Sequence, residues 1–313
     1  MPILVSGSLA YDSIMAFPDS FKNHILPDQI HILNVSFAVD TMKREFGGCA
    51  GNIAYTLKLL GSEPIIFGAL GSDGEEYLEH FRTHEIKTDF IARSADKLTA
   101  AAYITTDKDD NQICAFYSGP LAAAGSLSPR SLSPRPTCAI IAPSHREVMI
   151  RHAKECAELG IPIVFDPGQQ LTALAPDEIK RCISQAAFLI GNDYELKLIE
   201  QKTGWGLPEL LEVVPTIIVT MGERGSEIRL RDQTIQIEPC PPRSVEDPTG
   251  AGDAYRAGFF AAYERGLDLK TCGRVGSLAA TYAVEHYGTQ RHQFTLQEFS
   301  ERYRRAYGEP LGL

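Results

Sequence analysis

Short apolar runs alternate with amphipathic stretches along most of the chain. The runs at 3–5, 64–69, 138–142, 161–166, 188–191 and 216–220 have the length of buried strands, and between them 73–84, 146–159, 176–185 and 194–202 carry apolar residues at helical spacing. Strands joined through helices run the same way, so the pattern predicts an α/β fold: a mainly parallel central sheet with helices on both faces. A further helix is predicted over 53–60, and the last third reads as three helices, 251–265, 268–286 and 296–307.

Two stretches break this rhythm. Residues 12–45 hold prolines at 18 and 27 and no helical period, then alternate apolar and polar positions at 31–37 as a half-exposed strand does. The alternation returns at 100–106 and 112–117 around a polar turn, which predicts a hairpin. The expected organisation is one large domain made of 1–9, 47–97 and 121–313, with a small β-sheet lid inserted as 10–46 and 98–120. The pentapeptide Ser-Leu-Ser-Pro-Arg occurs twice in succession, at 126–130 and 131–135, and reads as a surface connector. The acidic cluster Asp107, Asp109 and Asp110, interrupted by Lys108, reads as a solvated turn, and the single tryptophan, Trp205, as packing.

Composition narrows the function classes. With 313 residues, 44% hydrophobic and 22% charged, the chain is ordinary globular material. Thirty basic against forty acidic residues give a net charge of -10, the wrong sign for binding nucleic acid through its phosphates. The cysteines at 49, 114, 138, 156, 182, 240 and 272 are odd in number and form no C-x-x-C pair, which fits reduced thiols in a cytoplasmic protein. The eight histidines show no metal-ligand spacing. No run of 18 apolar residues suggests a membrane span, and residues 1–7 lack a basic signal-peptide region, so a soluble protein without a membrane partner is expected.

Candidate chemistry concentrates in four segments. Asp247-Pro248-Thr249-Gly250-Ala251-Gly252-Asp253 opens a predicted helix; small residues at 250–252 let free amides converge at its positive end, an anion site suited to phosphate. Asp253 stands where a substrate hydroxyl would approach that phosphate and can accept its proton. Gly47-Gly48-Cys49-Ala50-Gly51-Asn52 offers close backbone approach and a side-chain amide to a polyhydroxyl ligand. Asn192-Asp193-Tyr194-Glu195 follows a strand, and Glu195 can hold Mg²⁺ through water. Thr220-Met221-Gly222-Glu223-Arg224-Gly225 follows another strand end, a place for a nucleotide at the carboxyl edge of an open sheet.

In this order and spacing the four segments resemble the ribokinase-like (PfkB) carbohydrate kinase family over nearly the whole chain. Within it, Gly7-Ser8 with Asp12, Phe17-Pro18, Leu26-Pro27, Ser36-Phe37, Asp166-Pro167 with Gln169-Gln170, Lys202-Thr203-Gly204-Trp205 and Arg256 are similar to the bacterial adenosine kinase branch. The resemblance implies ATP-dependent, Mg²⁺-dependent phosphorylation of the 5'-hydroxyl of adenosine. Asp253 would be the base, with the amides of Gly250, Ala251 and Gly252 holding the transferring phosphoryl group. Asp12, Gly48 and Asn52 would bind the ribose, and Phe116 the base, with Ser8, Ser36 and Gln170 as polar neighbours. ATP would lie over Asn192, Thr220, Gly222 and Gly225, with Gly288 and Thr289 near its adenine. Asp247 would contribute to a monovalent cation (K⁺) site. The same resemblance admits another sugar kinase, such as a ribokinase or fructokinase, or a non-catalytic nucleoside-binding relative. Phosphofructokinase action is disfavoured because no basic residue accompanies Asp12 or the Gly-Gly segment.

The chain departs from the family pattern in two places. Pro248 replaces a threonine after Asp247, and Ala102 stands where a second lid aromatic is expected opposite the base, next to Tyr103. Exposed apolar edges on a lid sheet also lead to the expectation of a homodimer paired through the lid.

Overall fold

The computed structural model describes residues 2–25, 34–109 and 111–312. The first part of the chain contains β1 (Ile3–Ser6), β2 (Ala10–Ala16), β3 (Thr41–Gly47), α1 (Cys49–Leu59), β4 (Pro64–Leu70), α2 (Glu75–Thr83), β5 (Ile91–Arg93), β6 (Ala100–Thr106) and β7 (Gln112–Tyr117). Then follow β8 (Ala139–Ile141), α3 (Arg146–Glu158), β9 (Ile163–Phe165), α4 (Pro176–Gln185), β10 (Phe188–Asn192), α5 (Asp193–Thr203), α6 (Leu207–Val213) and β11 (Thr216–Thr220). The chain ends in β12 (Ser226–Arg229), β13 (Thr234–Ile237), α7 (Ala251–Glu264), α8 (Leu269–Val284) and α9 (Leu296–Tyr307).

The large sheet has the order β13-β12-β11-β10-β9-β8-β1-β4-β5. Its strands from β11 to β5 run parallel, and β12 and β13 close one edge as an antiparallel hairpin. Alternate residues feed two apolar layers. Ile3, Val5, Ile140, Val164, Ile190 and Ile218 pack with α1, α7, α8 and α9. Leu4, Ile141, Phe165, Leu189 and Ile217 pack with α3, α4, α5 and α6. Strands covered on both faces need continuous apolar runs, which is why the central strands are plain in the sequence. The β12–β13 hairpin is not, because it is short and charged at Glu227 and Arg229.

The second sheet has the order β3-β2-β6-β7. The two insertions share it because β2 pairs in parallel with β6, while β3 and β7 flank them antiparallel. The edge strand beside β2 is Thr41–Gly47 and not the alternating stretch at 31–37, of which 34–37 lies outside any strand. Thr41–Gly47 carries Lys43, Arg44 and Glu45 in succession, so its pairing with β2 and not its own alternation makes it a strand. The rest of the 31–37 run, the Leu26-Pro27 pair and Asp110 lie outside the described residues.

Helix α1 begins at Cys49, four residues before the predicted start, so Asn52 lies inside its first turn. Asp107 is buried rather than solvated: it accepts the backbone N–H groups of Phe21, Asp109 and Asn111 at 2.9 Å each and so builds the turn. The repeated pentapeptide lies along α3, where Ser128 donates to Glu155, Arg130 pairs with Glu158, and Arg135 reaches the carbonyl of Leu159 at 2.9 Å. Trp205 packs against the second apolar layer, with Lys180 Nζ 5.0 Å from its ring centroid. Among the described residues no helix is long and apolar enough to cross a membrane.

Candidate active site

A cavity of about 310 Å³ opens where the carboxyl ends of the central strands meet the start of α7. Cys49, Asp166, Gln169, Asn192, Glu195, Thr220, Gly250, Gly252, Asp253 and Arg256 line it, so segments more than 200 residues apart in the chain converge on one space.

The start of α7 leaves its first backbone amides uncapped beside the cavity, the geometry of an anion cradle. Gly250 is its N-cap at φ +79°, a left-handed conformation natural to glycine, and no side chain caps the helix. A Cβ at Gly250 would lie 2.9 Å from Thr289, and one at Gly252 would lie 2.9 Å from Arg256 Nη1, so the cradle has room for a ligand only while both residues stay bare. The Ala251 amide makes a long bond to the carbonyl of Pro248 at 3.3 Å. The first-turn amides after it lack intrahelical acceptors, as at any helix start.

Asp253 projects from this turn and is half-buried, its Oδ2 accepting the Asn52 side-chain amide at 2.8 Å. Burial pushes its carboxyl up to about 6, against the opposing pull of Arg256 and of the Asn52 bond. Behind it, Arg256 forms a two-pronged, buried pair with Asp166, Nε to Oδ2 at 2.5 Å and Nη2 to Oδ1 at 2.6 Å. The same guanidinium donates to the carbonyl of Gly252 at 2.9 Å, which ties the Arg256–Asp166 ion pair to the first turn of α7.

The lid supplies the opposite wall. Register places Glu45, Asp12, Ala102 and Phe116 in one row across β3, β2, β6 and β7, and paired residues share a face. Ala102 therefore stands between Asp12 and Phe116, and Tyr103 faces the other way. Phe116 is 49% exposed, a large ring with nothing stacked on it among the described residues. Asp12 is pushed up to about 7 by burial and by the neighbouring carboxylates of Asp253, Asp247 and Glu45. Its carboxylate occupies the space a side chain on Gly47 would need, since a Cβ there would lie 2.1 Å from Asp12 Oδ2. Ser8 Oγ accepts the Cys49 amide at 3.1 Å, next to Gly48, the N-cap of α1. Ser36 is exposed and outside regular structure, and Gln170 is half-buried in the turn Gly168–Thr172, whose Gln169 is the residue lining the cavity.

Across the cavity from the cradle, Asn192 and Glu195 form a reciprocal cap on α5: Asn192 Oδ1 accepts the Glu195 amide at 2.7 Å, and Glu195 Oε2 accepts the Asn192 amide at 2.9 Å. One carboxylate oxygen of Glu195 is thus pinned, which aims the side chain into the cavity it shares with the cradle. Gly222 and Gly225 bracket the turn after β11, close to Thr220. Thr289 is buried between lid and cradle, donating to the carbonyl of Phe46 at 2.7 Å. Asp247 accepts the amides of Thr249 at 2.9 Å and Gly288 at 3.1 Å, one on each oxygen.

Three features escape the sequence reading. Cys49 and Gln169 line the cavity as neighbours of residues singled out for it. The Arg256–Asp166 pair joins positions 90 apart, and only Asp166's place at the end of a predicted strand hints at it. A basic residue does reach the row of Asp12, where Arg291 Nε binds Glu45 at 2.8 Å, and Lys43, two residues before Glu45 on β3, has its Nζ 4.3 Å from the Tyr287 ring centroid. Both are engaged there by protein groups.

The pfkB family carbohydrate kinase profile matches residues 10–295. A nucleoside kinase of Methanothermobacter thermautotrophicus is 34% identical over 98% of this chain and 96% of its own. Among solved structures, the Burkholderia thailandensis nucleoside kinase in complex with inosine superposes with a TM-score of 0.91 at 40% identity, covering 99% of this chain and 100% of that one. The Methanocaldococcus jannaschii nucleoside kinase, described as an archaeal member of the ribokinase family, gives 0.88 at 30% identity, covering 97% and 98%. The fold is the ribokinase-like α/β fold.

Proposed function

Because the chain belongs to the PfkB family of carbohydrate kinases, phosphotransferases with an alcohol acceptor, we propose that it moves the γ-phosphoryl group of ATP to the 5'-hydroxyl of a purine nucleoside, with adenosine as acceptor. The observation that carries this reading is the position of Asp253 in the first turn of the helix whose amides form the anion cradle. A hydroxyl held between them gives its proton to Asp253 as its oxygen bonds to phosphorus and the bond to the leaving diphosphate breaks. A carboxyl titrating at about 6 is ionised near neutral pH yet basic enough to take that proton. The cradle amides and Arg256 stand where negative charge gathers on the transferring group, in a site whose fixed dipoles need no reorganisation.

Asp12, Gly48 and Asn52 bind the ribose in this reading, and the exposed ring of Phe116 stacks on the base. The Burkholderia thailandensis structure with inosine, at 40% identity, supports a purine nucleoside as the ligand, and the small Ala102 leaves room for one. Glu195 lines the cavity and has only one of its carboxylate oxygens engaged by the helix cap, so it fits a hydrated Mg²⁺, which when bound would neutralise charge on the phosphates. Each oxygen of Asp247 accepts one backbone N–H and keeps a further lone pair, so the residue can still contribute to a monovalent cation site, to which no step is assigned. Met42, Tyr103 and Ile113, 61%, 44% and 43% exposed on the outer lid face, support pairing with a second copy, which light scattering would detect.

The deciding experiment is a panel of adenosine, inosine, ribose and fructose with ATP, following ADP release. Adenosine should give the highest kcat/KM. Higher values for ribose or fructose would refute the nucleoside assignment while leaving the kinase fold intact.

A further inference from the structure

A single chain of hydrogen bonds runs from Asp253 through Asn52, which the proposed function places at the ribose, to Gln290, Tyr77 and His80, to which that function gives no role. Asn52 Nδ2 donates to Asp253 Oδ2 at 2.8 Å, and Asn52 Oδ1 accepts from Gln290 Nε2 at 3.0 Å. Gln290 Nε2 also donates to the Tyr77 hydroxyl at 2.7 Å, and Tyr77 donates in turn to the carbonyl of Gly47 at 2.7 Å. Gln290 Oε1 lies 3.0 Å from His80 Nε2. Asn52, Tyr77 and Gln290 are all buried, at 5%, 0% and 3% exposure, so none of these groups can exchange its partner for bulk water.

Both amides in this chain have only one orientation open to them. A backbone carbonyl can only accept, so Tyr77 must spend its proton on Gly47 and must receive one from Gln290. That turns the Gln290 nitrogen toward Tyr77 and Asn52, and its oxygen toward His80. Asn52 then meets an N–H donor and must offer its oxygen to it, which leaves its own nitrogen facing Asp253. The ionised Asp253 can also only accept, so the two ends of the chain demand the same directions. His80 supplies the last donor as a neutral ring, its pKa lowered to about 4 by burial and by His84 and Arg291. Its orientation is held by stacking on Phe46, with centroids 4.0 Å apart and planes 13° from parallel. The segment carrying Gln290 is clamped on its far side, where Tyr55 donates to the carbonyl of His292 at 2.8 Å.

We propose that Gln290 is a positioning residue for the catalytic base, acting through Asn52, with His80 and Tyr77 setting the direction of its amide. Without it the buried Asn52 oxygen loses its donor and only the bond to Asp253 holds the amide, so the base is aimed less firmly and the bond that favours its ionised form weakens. This inference rests on the reading of Asp253 as general base. The other groups facing Asp253 are Arg256 on its own helix, Asp166 at the end of β9, Cys49 on α1 and Asp12 on the lid; none belongs to the chain of bonds, so their influence persists when the chain is cut.

The test is Gln290→Met, which keeps the volume and removes both donors, measured beside Asp253→Asn. Expected for Gln290→Met is a kcat about tenfold lower with nucleoside KM within about twofold, and an acidic limb of the kcat profile displaced upward by about half a pH unit. His80→Phe, which keeps the stacked ring and loses the N–H, should move kcat and the limb in the same direction by less, and His80→Gln should restore them. If Gln290→Met does not fold, the His80 pair carries the same test. A Gln290→Met enzyme with normal kcat and an unmoved acidic limb overturns the inference, as does a His80→Phe enzyme indistinguishable from His80→Gln. An active Asp253→Asn enzyme would instead overturn the reading of the base itself, so the two failures are told apart.

Discussion

The two walls of the cavity are built on opposite plans. On the cradle wall, Asp253, Arg256, Asp166 and Asn52 each have a defined protein partner at 2.5–2.8 Å, and the strands leading to them are buried on both faces. On the lid wall, every residue of β7 is exposed, Phe116 presents an open ring, and Asp12 has carboxylates for neighbours. The cradle is organised before any ligand arrives, whereas the lid holds groups whose burial and charge are unsatisfied without one. Preorganised dipoles belong where charge develops in the reaction, and unsatisfied surface belongs where binding energy is to be gained.

The largest effect expected from this division is on the cradle. Asp253→Asn keeps size and hydrogen bonding but cannot take a proton, so kcat should fall by on the order of 10² to 10⁴ while nucleoside still binds. Turnover and equilibrium binding on the one variant check this; near-normal turnover would erase the distinction between the walls.

Glu195→Gln should raise the Mg²⁺ concentration needed for half-activation by about tenfold and leave nucleoside KM unchanged, because the carboxylate acts on the phosphate side alone. An unchanged Mg²⁺ profile would remove Glu195 from the metal's surroundings. Phe116→Ala tests the lid in isolation: KM for nucleoside should rise about three- to tenfold with kcat nearly constant, the loss of one stacked ring. A kcat loss larger than the KM change would mean the lid takes part in the chemical step.

The smallest effect is on stability. Asp12 titrates at about 7 in the folded protein against an ordinary value of 3.8, so the folded state holds a proton that the unfolded chain has released. The contribution of this group is therefore fully present below about pH 4, is lost as pH rises to 7, and stays lost above it. Asp12→Asn removes the penalty and should raise Tm by a few degrees at pH 8, on the order of 2–4 °C, with no gain near pH 4. Thermal melts at the two pH values decide it, and an equal shift at both would show that Asp12 does not face its carboxylate neighbours.

Most of the large sheet was legible because each central strand is buried on both faces and its middle must be apolar, as residues 188–191 of β10 and 217–219 of β11 are. The charged strand Thr41–Gly47 was not, since its identity lies in the seven residues of β2 that pair with it. The same division runs through the site. A run of small residues ending in Asp253 announces a helix start and an anion site from the chain alone, because the backbone geometry it encodes is local.

Neighbours along the chain are thus enough to specify the parallel core, the bare helix start at 250–252, and the candidate base and metal carboxylate. Contacts between distant elements are needed to pair Arg256 with Asp166, to set Ala102 on one face with Asp12 and Phe116, and to link Gln290 through Asn52 to Asp253. Each of these joins residues on different elements, and the direction of a hydrogen bond or the face of a strand exists only once a partner has been brought within reach.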